Sequence, residues 1–170
     1  MSARLKLGLI FIACAAPFVL GWAAWYFGWG TGTRGNYGEL ISPQPVPGAP
    51  FEELRGRWVL VMFDPANCGP TCQRKLYYLR QVRTALGKEQ GRVERLWVIT
   101  DDGQPVSDLL AAYPGMRLWP KPAEGFPRPA DEHIYVVDPL GNLMLRFPRD
   151  PDPSRMLKDL QRLLRYSRVG

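Results

Sequence analysis

Three side chains in this 170-residue chain carry the chemistry to hold a soft metal or move electrons: Cys68, Cys72 and His133. The two cysteines enclose Gly69-Pro70-Thr71, and His133 is the only histidine. Cysteines four apart share a face wherever the segment is helical, so their sulfurs can close a disulfide or grip one soft ion. Two thiolates suit Cu(I), and an added imidazole suits Cu(II). As a dithiol the pair can instead exchange with a partner disulfide, Cys68 attacking and Cys72 resolving. A structural staple is the third reading. Cys14, the remaining cysteine, lies apart in an apolar run.

The segment before the pair, WVLVMF at residues 58–63, is a continuous apolar run short enough for a buried central strand. After it come a turn-rich stretch from Asp64 and then Leu76, Leu79, Val82 and Leu86 at helical spacing, with Gly87 as the stop. Pro70 suits the first turn of that helix. Helix N-termini present unpaired N–H groups and partial positive charge, which favour a thiolate.

VERLWVIT at 93–100 is expected to form the next strand, 105–113 a shorter helix, and 114–129 a proline-laden loop. HIYVV at 133–137 and LMLRF at 143–147 flank Asp138-Pro139-Leu140-Gly141-Asn142 and read as a β-hairpin. Asp152 caps a last helix opened by Pro153, with Met156, Leu157, Leu160, Leu163 and Leu164 as its buried stripe. The resulting order, β-α-β-α-β-β-α, is an α/β, thioredoxin-like layout. Its first unit requires a right-handed parallel crossover, and its helices are expected on both faces. The start of the hairpin, where His133 stands, is expected at the same rim as the cysteine helix.

Residues 7–27 contain no charged side chain and are long enough to cross a bilayer as a helix. Trp22, Trp25, Tyr26 and Trp29 gather at the far end, as interfacial aromatics do, while Arg4 and Lys6 precede the run. The expectation is residues 1–6 in the cytoplasm, an uncleaved single-pass anchor over 7–27, a Pro/Gly-rich tether over 28–50, and an exported domain over 51–170. That places the domain on the periplasmic side of the inner (cytoplasmic) membrane, where disulfides are permitted. A cleaved signal peptide is the rival reading of the same run. The net charge of +6 is spread along the chain, with no basic groove interleaved with aromatics, so nucleic acid is not an expected partner.

FDPANCGPTCQRKLYYLRQV at 63–82 resembles the copper-site segment of the Sco/SenC proteins, membrane-anchored thioredoxin-like factors that assist cytochrome c oxidase assembly. LWVITDDGQPVSDLLAAY at 96–113 and IYVVDPLGNLMLRF at 134–147 resemble the family's second strand with its helix and its YLxDPxG hairpin. The resemblance covers about two-thirds of the chain. It implies copper as the possible cofactor or cargo, Cys68 and Cys72 as ligands, and the copper-binding subunit of a terminal oxidase as partner. Two features depart from the family pattern. The enclosed triplet is Gly-Pro-Thr rather than Pro-Asp-x, and His133 stands two residues before Tyr135 rather than about five.

The resemblance therefore makes His133 a candidate third ligand. The alternative function is a thiol–disulfide oxidoreductase, an enzyme acting on that same copper domain or another exported thiol protein. Around the pair, Asp64 is a candidate proton acceptor or plain turn residue, and Arg74 and Lys75 are candidates for stabilising thiolates or meeting an acidic partner. Pro129 is a candidate cis proline, and Trp119 and Phe126 are candidate docking residues.

Overall fold

The structure, a computed structural model, describes residues 2–27, 35–120 and 133–167. It divides into two units, 1–35 and 36–170. The first holds one helix, α1 (Ala3–Tyr26), which runs through Pro17 and buries no residue. Its 24 residues extend about 36 Å, enough for a hydrocarbon core of about 30 Å. By length and composition it is a candidate membrane span.

The second unit is a six-stranded mixed sheet in the order β1-β6-β5-β2-β3-β4. The central strand β2 (Trp58–Asp64) is buried at every position. It pairs in parallel with β3 (Val93–Ile99) and antiparallel with β5 (Ile134–Val137). Between β2 and β3 the chain crosses over through α3 (Pro70–Ala85) and a 3-10 segment, Gly87–Arg92. Helix α4 (Ser107–Ala111) follows β3, and β5 turns into β6 (Asn142–Arg146). Helix α5 (Pro153–Tyr166) closes the chain, its Asp152 cap accepting from the Ser154 amide at 2.8 Å.

Strand alternation sorts the core into two layers. Trp58, Leu60, Met62, Trp97 and Val136 face α3 and α5. Val59, Val61, Phe63, Leu96 and Val98 face the opposite side, against Phe51 and Leu54. Those two belong to and follow the short helix α2 (Ala49–Glu53). Helices thus lie on both faces, and the expected thioredoxin-like order is present as β2-α3-β3-α4-β5-β6-α5.

Two segments differ from the sequence expectation. Residues 39–45, expected within a tether over 28–50, form β1 (Glu39–Pro45), paired antiparallel with β6. Residues 116–120, expected as loop, form β4 (Met116–Pro120), parallel to β3. Both are edge strands, held by backbone pairing and mostly exposed, so neither needs an apolar period. Prolines are tolerated there because one strand edge has no neighbour to receive its N–H groups.

The entry into β1 is tight. The Gly38 amide donates to the buried Asp159 carboxylate of α5 at 2.8 Å. A Cβ at Gly38 would stand 2.5 Å from Leu145 Cδ2. Gly38→Ala is therefore expected to cost about 1–3 kcal/mol through overpacking. The measurement is the denaturation midpoint of the detergent-solubilised chain, and an unchanged midpoint would show that β1 is not docked as described.

Candidate functional site

The site begins where β2 ends. Asp64 is its last residue, a short turn follows, and α3 opens on Gly69 as N-cap with Pro70 first in the helix. Pro70 lacks the N–H that would go unpaired there, and its fixed φ matches the helix. Cys72 is the third helical residue, and Cys68 lies just before the cap. The first helical hydrogen bond of this turn runs from the Gln73 amide to Gly69 O at 3.0 Å. Gln73 Nε2 also donates to Cys68 O at 3.1 Å, tying the two sides of the pair.

Cys68 and Cys72 are joined as a disulfide, with Cα atoms 5.2 Å apart. They sit deeper than a surface rim, 7% and 3% exposed, in one cluster with Ala66, Leu76 and Ile99. Cys68 keeps the greater access, which suits it to be the sulfur a partner reaches first.

The turn before the pair is pinned from the neighbouring strand. Asp101, two residues beyond β3, accepts from the Ala66 amide at 2.9 Å and the Gly103 amide at 3.3 Å. A Cβ on Gly103 would come within 2.8 Å of Ala66 Cβ, so this loop packs directly on the cysteine turn. Asp101 carried a turn signal in sequence, Asp-Asp-Gly, but nothing there linked it to Cys68 across thirty-odd residues of chain.

Beneath α3 lies a buried ion pair between Lys75 and Asp64. Lys75 is 2% exposed, and its Nζ also donates to Phe63 O at 3.4 Å. The Asp64 carbonyl in turn accepts from Trp97 Nε1 at 3.0 Å and the Thr100 amide at 3.1 Å. Lys75, one candidate for meeting an acidic partner, instead points inward and joins the cysteine helix to the end of β2. Arg74 is exposed and reaches Asp150 at 3.4 Å, a surface pair of little energetic weight.

His133 stands at the same end of the sheet. Met62 pairs with Ile134 in the antiparallel β2–β5 register, which sets His133 beside Phe63, one residue before Asp64. Its Nδ1 contacts Phe147 O at 2.6 Å. A carbonyl only accepts, so Nδ1 is the donor in this contact and Nε2 is the nitrogen left to face another partner. That division is the usual one for a metal-bound imidazole, whose second nitrogen donates to a carbonyl or carboxylate.

Two sulfurs are soft donors that suit Cu(I) once the disulfide is opened, and an imidazole stands at the same end of the sheet. In the closed form the sulfurs are bonded to each other. Among the described residues no three His, Cys, Asp or Glu side chains are grouped to hold an ion. Trp119 lies in β4 and meets Phe51 edge-on at 5.5 Å, on the face away from the disulfide. Phe126 and Pro129 lie outside the described residues.

Fold and site together define a thioredoxin-like domain with a CxxxC pair at the strand-to-helix junction. Residues 58–167 match the family described as transmembrane-like, thioredoxin-like, C-terminal domain, and the chain belongs to that family. Its fold is also that of solved Sco structures. Copper-bound yeast Sco1 superposes with a TM-score of 0.60 at 16% identity, covering 69% of this chain and 84% of that one. Apo Sco1 from Thermus thermophilus gives 0.58 at 20% identity, covering 75% and 96%. BsSco, described with a disulfide switch and as a member of the Sco family of cytochrome c oxidase assembly proteins, gives 0.51 at 16%, covering 78% and 96%. At these identities the likeness is one of fold. No curated protein matches the sequence.

Removing one partner of a buried ion pair leaves the other charge uncompensated and costs about 3–5 kcal/mol. Asp64→Leu or Lys75→Met alone should therefore lower the unfolding midpoint sharply, whereas Asp64→Leu combined with Lys75→Met should recover most of the loss. Equal, additive losses in this double-mutant cycle would show that the two charges are not coupled.

Proposed function

We propose that this protein is a membrane-anchored, extracytoplasmic Sco-like factor that handles Cu(I) through Cys68 and Cys72, with His133 as third ligand, and serves cytochrome c oxidase assembly. The observation that carries the reading is the sharing of one sheet end. A buried strand delivers the cysteine turn there, and its antiparallel neighbour leads in from an imidazole whose Nδ1 is engaged by a backbone carbonyl, leaving Nε2 for a metal. The fold likeness to copper-bound Sco1 supports the choice of metal.

α1 would serve as the anchor, and Arg4 and Lys6 ahead of it favour an N-terminus in the cytoplasm and a body outside. Loading requires an exported dithiol to reduce Cys68–Cys72, taking up the disulfide and leaving two thiols. Two thiolates and an imidazole then take the ion, and the copper-binding subunit of a terminal oxidase is the recipient.

The closed disulfide supports a second reading. In it the reduced pair is a thiol–disulfide oxidoreductase. The Cys68 thiolate attacks a partner disulfide and releases one partner thiol. Cys72 then attacks the Cys68 sulfur, releasing the second thiol and leaving the pair oxidised.

Anaerobic Cu(I) titration of the reduced chain, against a competing chelator, separates the two. One ion per chain is expected, with binding abolished in Cys68→Ser and Cys72→Ser and weakened at least about tenfold in His133→Ala, as loss of a metal-site partner typically does. Failure to compete for Cu(I), together with a trapped mixed disulfide in Cys72→Ser, would replace metal handling by thiol exchange.

A further inference from the structure

Helix α5 carries its charge on one side only. Arg155, Lys158, Arg162 and Arg165 follow one another at spacings of three, four and three, so they form a single stripe along the helix. All four are exposed, while Met156, Leu160 and Leu164 on the opposite side are buried. The only acidic residue in the helix, Asp159, is buried and accepts from the Gly38 amide. Tyr166, 78% exposed, ends the stripe with an amphipathic ring. Lys88 and Arg92 line a groove with Arg165, together with Glu89, which is paired with Arg92.

The same stripe receives the chain as it enters the globular unit. Arg162 donates to Asn36 Oδ1 at 3.4 Å, and the Arg155 guanidinium lies 4.1 Å over the Tyr37 ring. In sequence Asn36 is nine residues past Phe27, the C-cap of the apolar helix. Residues 36–45, expected within the tether, are thus part of the globular unit, and its first residues are fastened to α5. A basic helix face with a terminal aromatic, in a chain that also carries a membrane-span candidate, has the chemistry that binds anionic headgroups.

We propose that the Arg155–Lys158–Arg162–Arg165 stripe of α5 rests on the anionic phospholipid headgroups of the membrane that holds α1. The proposal rests on reading α1 as a membrane span and is independent of whether Cys68 and Cys72 bind copper. Lipid is favoured over an acidic protein face because the stripe is joined to the residues that lead in from the apolar helix. Such an arrangement holds the globular unit in one orientation relative to the bilayer. The contact is electrostatic, so it weakens as salt shortens the reach of the charges.

The test uses the isotope-labelled full chain in lipid nanodiscs containing a trace of gadolinium-chelate lipid. One set is phosphatidylcholine alone, and the other is phosphatidylcholine with an equal part of phosphatidylglycerol. Retention of the chain in the discs reports insertion of α1 separately. Paramagnetic broadening of the α5 amides, compared with α2, is expected to be at least about twofold stronger in the anionic discs. It should fall away at about 0.5 M salt, where the Debye length is only a few ångströms. Lys158→Glu with Arg165→Glu should remove the excess while leaving the sheet amides unshifted. An inserted chain whose α5 broadens equally in both lipids, or not at all, overturns the proposal. An acidic protein added to the anionic discs that displaces α5 from the lipid at physiological salt overturns it as well.

Discussion

The burial of every side chain on β2 is the constraint from which the rest of the architecture follows. A strand sealed on both faces and both edges needs a helix layer on each side and a paired neighbour along each edge. It obtains them as α3 and α5 above, α2 below, β3 on one edge and β5 on the other. The parallel β2–β3 pair then forces α3 to cross over the sheet, and the turn that starts the crossing is where the two cysteines lie. The antiparallel β2–β5 pair brings His133 to the same end. The end of the sheet that holds the cysteines and His133 is in this sense a by-product of how its most buried strand is satisfied.

Holding the cysteine turn in place calls on polar contacts that a simple apolar core would not need. Lys75 and Asp64 form an ion pair almost out of solvent, and burying charge is tolerable only where partners are supplied. Here the pair also links α3 to the last residue of β2, so the helix that carries Cys72 cannot slide relative to the strand that leads to Cys68. Asp101 does the corresponding work from β3 by fixing the Ala66 amide. The sulfurs therefore come from a turn fastened on two sides, while the histidine is held by a separate backbone contact to Phe147.

The sheet's outer strands have a different character. β1 and β4 hold little apolar surface, and prolines stand within or at the end of each. Their worth lies in covering β6 and β3 and in where they fasten the chain. Because β1 is stitched through Gly38 to Asp159, the entrance to the globular unit is fixed on α5 rather than left free.

Strong local periodicity made the β2, α3, β3, β5, β6 and α5 elements legible from residues alone. WVLVMF is too short and too apolar for anything but a buried strand, and Leu76, Leu79 and Val82 keep helical spacing. The Cys68–Cys72 spacing likewise determined the chemistry available, since two sulfurs four residues apart at a helix start have few other uses. The edge strands were not legible, because ELISPQP and MRLWP are held by backbone pairing that leaves no hydrophobic period to read. Nor could the sequence show that Lys75 turns inward to Asp64, or that Asp101 holds the turn before Cys68. Those partnerships join residues far apart in the chain, and only the packing of α3 and the β3 loop against the end of β2 brings them within bonding distance.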